Sequence, residues 1–407
     1  MDSRILALLC VCVAASGCAT VDSPMKEGTF AADVAFLGDH TEVVVLSDSS
    51  GRGQAVVLPQ MQGRVMTSTA AGPEGYSFGW INREHVASGQ FVEHINVFGG
   101  EDRFWLGPEG GQFSIFFEQG VPFDLDHWYT PAPIDTEAWD LIARTPNSAR
   151  LQKTMRVKNY SNQVFNVRVD REVRVLERRE ALTVLGVRAG PGVAMVAFES
   201  NNTMVNLGPA PWKHKTGLLS IWILGMFKPS PETTIVVPFQ TGPGDKLGPI
   251  VNDAYFGEVP ADRLIVKDGV LFFSGDGQYR SKIGLSPQRA KDVLGSYDSV
   301  NGVLTIVQYN KPSDTADYVN SKWELQEQPY KGDTVNSYND GPPAPGAKPL
   351  GPFYELESSS PAAALAPQES ILHTHRTFHF TGNRSQLNRL ALAVLDVSIG
   401  EIESSLP

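Results

Sequence analysis

The chain has 407 residues, a formal net charge of −11 at pH 7 and only three cysteines, Cys10, Cys12 and Cys18. Such a length is ample for a large core without covalent staples, and three thiols cannot build a disulfide scaffold. The acidic balance argues against nucleic acid or an anionic membrane surface as a partner and leaves neutral carbohydrate open.

In chain order, Arg4, the apolar run Ile5–Ala15 and the sequence Ala15-Ser16-Gly17-Cys18 form a secretory signal. Small residues running into a cysteine resemble a bacterial lipobox. That resemblance implies cleavage of residues 1–17 and lipidation of Cys18, with an ordinary cleaved signal peptide as the alternative. No later stretch reaches the roughly 18 consecutive apolar residues that span a bilayer, so membrane contact is expected through the N-terminal lipid only. Ala19, where an Asp is absent, favours by analogy the periplasmic side of the outer membrane. Residues 18–30 read as a lipidated tether, with Val21–Phe30 leading away from the lipid, and residues 31–407 as a single domain.

Short β-branched or aromatic runs bounded by Gly, Pro, Asn and Asp then dominate: Glu42–Leu46, Gln54–Leu58, Phe113–Phe117, Arg150–Val157 and Phe165–Leu176. They continue through Leu182–Val187, Met195–Phe198, Leu218–Met226, Thr233–Phe239, Leu264–Phe273, Gly302–Tyr309 and Ile371–Phe380. No strand–helix alternation separates them, which predicts a mainly β, antiparallel architecture. In Arg168–Glu180 the odd positions are expected to face the core, and the even, charged ones water. Helices are expected from Ser286-Pro287 to Gly295, over Asp314–Glu324, and over Gln386–Ile399 on the sheet or in a mixed strand–helix end. Gly341–Pro352 reads as a surface loop near a binding face.

Phe98–Phe117, FGGEDRFWLGPEGGQFSIFF, is the richest stretch. Arg103 and Trp105 share a face of an extended chain, as do Gly107 and Glu109. An aromatic plate beside a guanidinium and a carboxylate suits a polyol, the ring covering C–H groups and the charges taking hydroxyls. A hairpin with an Arg–Glu pair over a half-buried Trp is the plainer reading. Upstream lies His94. Trp212 and His214 precede an apolar strand, and His214 is a candidate proton donor. Arg280 and Lys282 stand two apart on an expected strand, able to reach a ligand or to balance nearby acids. Asn336, Tyr338, Asn339 and Asp340 are turn formers and hydroxyl binders, while Glu355 and Glu357 point to one side of an extended segment. A carboxylate near a pocket is a candidate general base. His373, His375 and His379 share a strand face, expected to be polar and outward, and no adjacent ligand completes a metal set. Neither a nucleophile elbow nor a dinucleotide or phosphate-cradling glycine loop is present, so no cofactor or metal is expected.

The GG-x-x-R-x-W-x-x-PE core, Gly99, Gly100, Arg103, Trp105, Pro108 and Glu109, resembles a signature of galactose mutarotase-like (aldose 1-epimerase-like) proteins. The runs TGLLSIWILGMF, KIGLSPQRA and FYELESSSP resemble a bacterial lipoprotein branch of that superfamily. The resemblance implies a β-supersandwich whose concave face holds sugars, and in true epimerases a His–Glu pair that opens and recloses the pyranose ring. Phe98 stands where epimerases carry a histidine before the glycine pair, and Asp126-His127-Trp128-Tyr129 is a poor match to an NH-x-Y motif. The catalytic pair is therefore not carried over. The resulting expectation is a carbohydrate-binding lipoprotein. Arg103 and Trp105 would position the ring, Glu109, Glu355 or Glu357 would act as base, and His214 or His94 as acid, in an epimerisation, isomerisation or elimination. Further substrate contacts are expected from Trp212, Lys282, Asn336, Tyr338 and Asn339. The alternatives are a non-catalytic glycan-binding or envelope scaffold protein and a metal-assisted hydrolase using the C-terminal histidines.

Overall fold

The computed structural model describes residues 28–407 apart from 314 and 316. The β-branched and aromatic character of the chain is realised, among these residues, in eighteen strands paired antiparallel in three sheets. In chain order these are β1 (Val44–Ser47), β2 (Gln54–Leu58), β3 (Arg64–Thr69), β4 (Arg103–Gly107), β5 (Asp140–Arg144) and β6 (Ser148–Lys158). Next come β7 (Val164–Val175), β8 (Val193–Asn206), β9 (Ser220–Phe227), β10 (Thr233–Pro238), β11 (Leu264–Lys267) and β12 (Val270–Ser274). The last six are β13 (Ser281–Leu285), β14 (Val293–Asp298), β15 (Val303–Tyr309), β16 (Val335–Asn339), β17 (Tyr354–Ser359) and β18 (Ser370–Gly382). A ten-stranded sheet runs β11-β12-β10-β14-β15-β18-β8-β7-β6-β5, a five-stranded sheet runs β13-β16-β17-β9-β4, and β1-β2-β3 form a small third.

The two large sheets pack face to face. Ile221, Ile223, Phe104 and Leu106 of the smaller meet Phe165, Val167, Val169 and Phe198 of the larger. Ile283, Val335 and Leu356 meet Ile235, Leu294 and Val307. The opposite face of the ten-stranded sheet carries Leu304, Ile306, Phe378 and Phe380, covered by the helices Arg384–Leu395 and Ile399–Glu403. The five-stranded sheet therefore has one face spent on the core and one free to bear a site.

Along β7 burial alternates without a break, so the odd-position rule holds, and it puts Arg171 inside. Its guanidinium donates to Asp102 Oδ1 at 2.7 Å and Asn202 Oδ1 at 2.6 Å, with the Arg171–Asp102 pair shut off from water. Neighbouring Glu101 accepts from Ser68 Oγ and bonds His379 Nε2, each at 2.8 Å. These two buried anchors tie the residues just before β4 to the large sheet.

Several local expectations are corrected. Residues 28–30 already belong to the fold: Thr29 caps the helix Phe30–Gly38 and Phe30 is buried. Leu182–Val187 falls at the end of the helix Arg178–Val184, whose Glu, Arg, Ala and Leu residues favour that state. Phe113–Phe117 is loop, buried from Ser114 onward, because a short apolar run does not distinguish a strand from packed irregular chain. Ser286–Ala290 makes a turn and Gly295 sits inside β14, where a side chain would collide with the Thr305 carbonyl. The described part of 314–324 is irregular. His373, His375 and His379 are buried between the sheets, where Ser358 Oγ bonds His373 Nε2 and His375 Nδ1 at 2.8 Å each. Burial holds the His373 and His375 imidazoles well below their usual range, at about 3 and about 4. No group of three or more metal-ligating side chains occurs among the described residues. The lipobox and Cys18 lie outside the described residues.

Candidate functional site

Strand register assembles the site. Arg103 and Trp105 on β4 stand opposite Leu224 and Trp222 on β9. Leu224 and Met226 stand opposite Glu357 and Glu355 on β17, which face Asn336 and Tyr338 on β16. Tyr338 faces Lys282 on β13. Because side chains alternate, all of these project from one face of the five-stranded sheet, away from the core. Above that face lies a cleft of ≈ 260 Å³, walled by His94, Glu109, Trp128, Phe256, Arg280, Trp323 and the loop from Gly341 to Phe353. Its size is near the lower end for small-molecule sites, about 300–1,000 Å³.

Glycines let the walls close. Gly99 has φ +101°, and a Cβ there would lie 2.1 Å from the Trp80 carbonyl oxygen. A Cβ on Gly341 would come within 2.5 Å of the Arg280 nitrogen, so the loop crosses the end of β13 only without a side chain.

Trp105 packs edge-on to Trp222 at 5.5 Å and tilted against Trp128 at 6.4 Å, with Trp323 5.7 Å from Trp128. Charged groups are threaded between these rings. The Arg103 guanidinium lies 5.2 Å from the Trp105 ring and bonds Glu355 Oε1. One layer lower, Glu357 Oε2 accepts from Trp222 Nε1 at 2.8 Å and Lys282 Nζ at 3.2 Å. Desolvation alone would lower the Lys282 pKa, but the charges of Glu357, Glu109 and Glu355 raise it, so the ammonium persists.

The cleft carboxyls move the other way. Burial raises Glu109 to about 7, with Glu357 adding repulsion and Lys282 opposing. Burial also raises Glu355, with Glu357 reinforcing the shift and Arg103 opposing it. Asp340 is lifted by burial to about 6, against hydrogen bonds from Gly351 N–H at 2.8 Å and Tyr338 O–H at 2.7 Å. His94 Nδ1 sits 2.8 Å from the Trp128 carbonyl oxygen. A carbonyl only accepts, so Nδ1 carries the hydrogen and Nε2 is the acceptor of the neutral ring.

Of the residues singled out from sequence, His94, Arg103, Trp105, Glu109, Arg280, Lys282, Tyr338, Asp340 and Glu355 line this cleft. Glu357 lies fully buried beneath its floor. Asn336 shares the face but turns into a small polar pocket with Tyr255 and Asp333, donating to Tyr255 Oη at 3.0 Å. Three others lie elsewhere. His214 is exposed and pairs with Asp317 at 3.1 Å. Trp212 is core, edge-on to Phe165. Asn339, on the opposite parity of β16, closes a turn through Gly277, Asp276 and Tyr279.

The sequence reading passed over Trp222, Trp128, Trp323 and Phe353. In β9 both parities are apolar, Trp222, Leu224 and Met226 against Ile221, Ile223 and Phe227, so no alternation marked the cleft side.

Among solved structures, a protein named as a candidate aldose 1-epimerase from Escherichia coli K12 matches with a TM-score of 0.50 and 14% identity, over 84% of this chain and 99% of that one. A galactose mutarotase-like protein from Lactobacillus casei ATCC 334 matches with a TM-score of 0.48 and 9% identity, over 83% and 100%. The fold is thus galactose mutarotase-like, a large antiparallel β-sandwich with few helices. No curated protein matches in sequence. A family profile covers residues 28–406, and the chain belongs to that family, the family of unknown function DUF6786.

Proposed function

We propose that the protein binds a saccharide in this cleft and transfers protons on it, in a reaction of the epimerase or isomerase class. One observation carries the reading: a tryptophan-lined cleft encloses two carboxyls, Glu109 and Glu355, both shifted toward protonation near neutral pH. Aromatic faces hold the C–H side of a sugar ring, and the fold likeness is consistent with such a ligand. Opening a cyclic hemiacetal needs a base for the anomeric hydroxyl proton and an acid for the ring oxygen. A carboxyl titrating near 7 can serve in either state. Glu109 takes the anomeric proton while Glu355, oriented by Arg103, protonates the ring oxygen. The reverse transfers close the ring on either face, and no net proton is consumed.

Phe98 favours a second reading, binding without turnover, because it packs in a hydrophobic cluster and stacks on His85 where an epimerase carries its histidine. A thermal-shift screen of neutral and acidic sugars, followed by NMR of each hit for anomeric exchange or new products, separates the two. Stabilisation with accelerated exchange supports catalysis, stabilisation alone supports binding, and no stabilisation by any sugar refutes both. We further propose that lipid on Cys18 holds the protein at the periplasmic side of the outer membrane. Mass spectrometry of the membrane-extracted protein should find a lipidated N-terminal cysteine, and C18S should become soluble.

A further inference from the structure

Arg280 stands immediately before β13, two residues from Lys282, and both line the cleft. Their surroundings differ. Lys282 pairs with Glu357, and Arg103 across the sheet with the carboxyl of Glu355. Arg280 has no carboxylate within ion-pair distance among the described residues, and its guanidinium lies 3.8 Å from the centre of the Phe256 ring. It is half-buried, its backbone is clamped by the crossing at Gly341, and its charge reaches Glu109 and Asp340 only through space. Lys348, on the loop that forms the mouth, likewise has no acidic partner among the described residues.

The chain as a whole carries −11, yet this cleft gathers four cations, two of which have no carboxyl partner in contact among the described residues. A guanidinium held against a ring, whose in-plane donors meet no acceptor among the described residues, is organised to receive an anion in bidentate fashion. We propose that the ligand is an acidic saccharide whose carboxylate is bound by Arg280, with Lys348 assisting at the mouth, while its ring lies against the tryptophans. This rests on the saccharide reading and narrows it to the uronate class. One fixed guanidinium and one flexible ammonium suit a single carboxylate. A phosphate dianion recruits a denser cradle of donors.

The test is calorimetric titration at pH 7 with glucuronate, galacturonate, glucose, galactose and glucose 6-phosphate, on the wild-type chain, R280Q and W222F. A uronate should bind at least about tenfold more tightly than its neutral parent, and R280Q should erase that difference by weakening uronate binding by at least about tenfold. The preference should also shrink as salt rises from 50 to 500 mM, values chosen on the order of the Debye-length change that screens exposed charge. Equal binding of uronate and parent sugar, or an R280Q variant that keeps the preference, overturns the carboxylate assignment and leaves the saccharide reading standing. Tighter binding of the phosphate sugar overturns it in favour of a phosphate ligand. Binding of none of the five probes overturns both. Unfolding curves for R280Q matching wild type separate lost recognition from lost fold, and W222F should weaken uronate and neutral sugar alike.

Discussion

Glu109 offers the sharpest check on the electrostatics of the cleft. Its carboxyl titrates near 7 against an ordinary value of 4.5, chiefly because burial disfavours the charged form. Since the folded-state pKa is the higher one, the fold holds the proton more tightly than the unfolded chain does. The contribution to stability is therefore complete below about pH 4.5, shrinks between 4.5 and 7, and is gone above. Each pKa unit is worth about 1.4 kcal/mol, so Glu109 alone costs the wild type roughly 3 kcal/mol at pH 8 and under about 1 kcal/mol at pH 5. E109Q keeps the shape and removes the charge. Urea unfolding of both proteins at pH 5 and pH 8 gives a difference of differences in which every other titrating group cancels to first order. E109Q should gain about 2–3 kcal/mol on wild type between the two pH values. Stability differences that stay constant across that range would show that Glu109 is ionised at little cost and that the proton-transfer assignment lacks its physical basis.

Two further outcomes follow from the buried charges and the tight crossings. K282M strips the ammonium from a fully buried Glu357 and should cost about 3–5 kcal/mol at neutral pH, with K282M/E357Q recovering most of it. Thermal melts that rank the double variant no better than the single one would sink the idea that Glu357 depends on Lys282. G99A forces a positive φ on a side chain and drives its Cβ into the Trp80 carbonyl. It should lower stability by at least about 2 kcal/mol in denaturant titration and loosen the site, and a neutral result would mean that the β4 entry can relax freely.

Strand-forming stretches were largely legible because a sheet with one wet face writes a period-two pattern into the chain. β7 alternates down to Arg171, whereas β2 was legible only as a β-branched run, four of its five residues being buried. The pattern was blind where both faces are covered. The three histidines of β18 read as outward polar residues, although a second sheet lies over them. Short apolar runs such as Phe113–Phe117 carried no sign of their loop geometry. At the site, Arg103, Trp105 and Glu109 were readable as a group because one short segment holds them. Their partner Glu355 lies 252 residues away and was readable only as one of two carboxylates on a face.

Readable from the chain alone, then, were most of the extended stretches, the residues that share a face within them, and an aromatic–guanidinium–carboxylate cluster beside a glycine-marked bend. These are properties of neighbours along the chain, set by backbone sterics and side-chain alternation. Only the packing of distant strands sets that Glu355 pairs with Arg103, that Glu357 sinks beneath Trp222 while Glu355 lines the cleft, and that Arg280 has no carboxylate within ion-pair distance among the described residues. Each of those depends on register between strands far apart in sequence and on the desolvation it imposes, and no local pattern encodes the burial that turns an ordinary carboxylate into one that holds its proton at neutral pH.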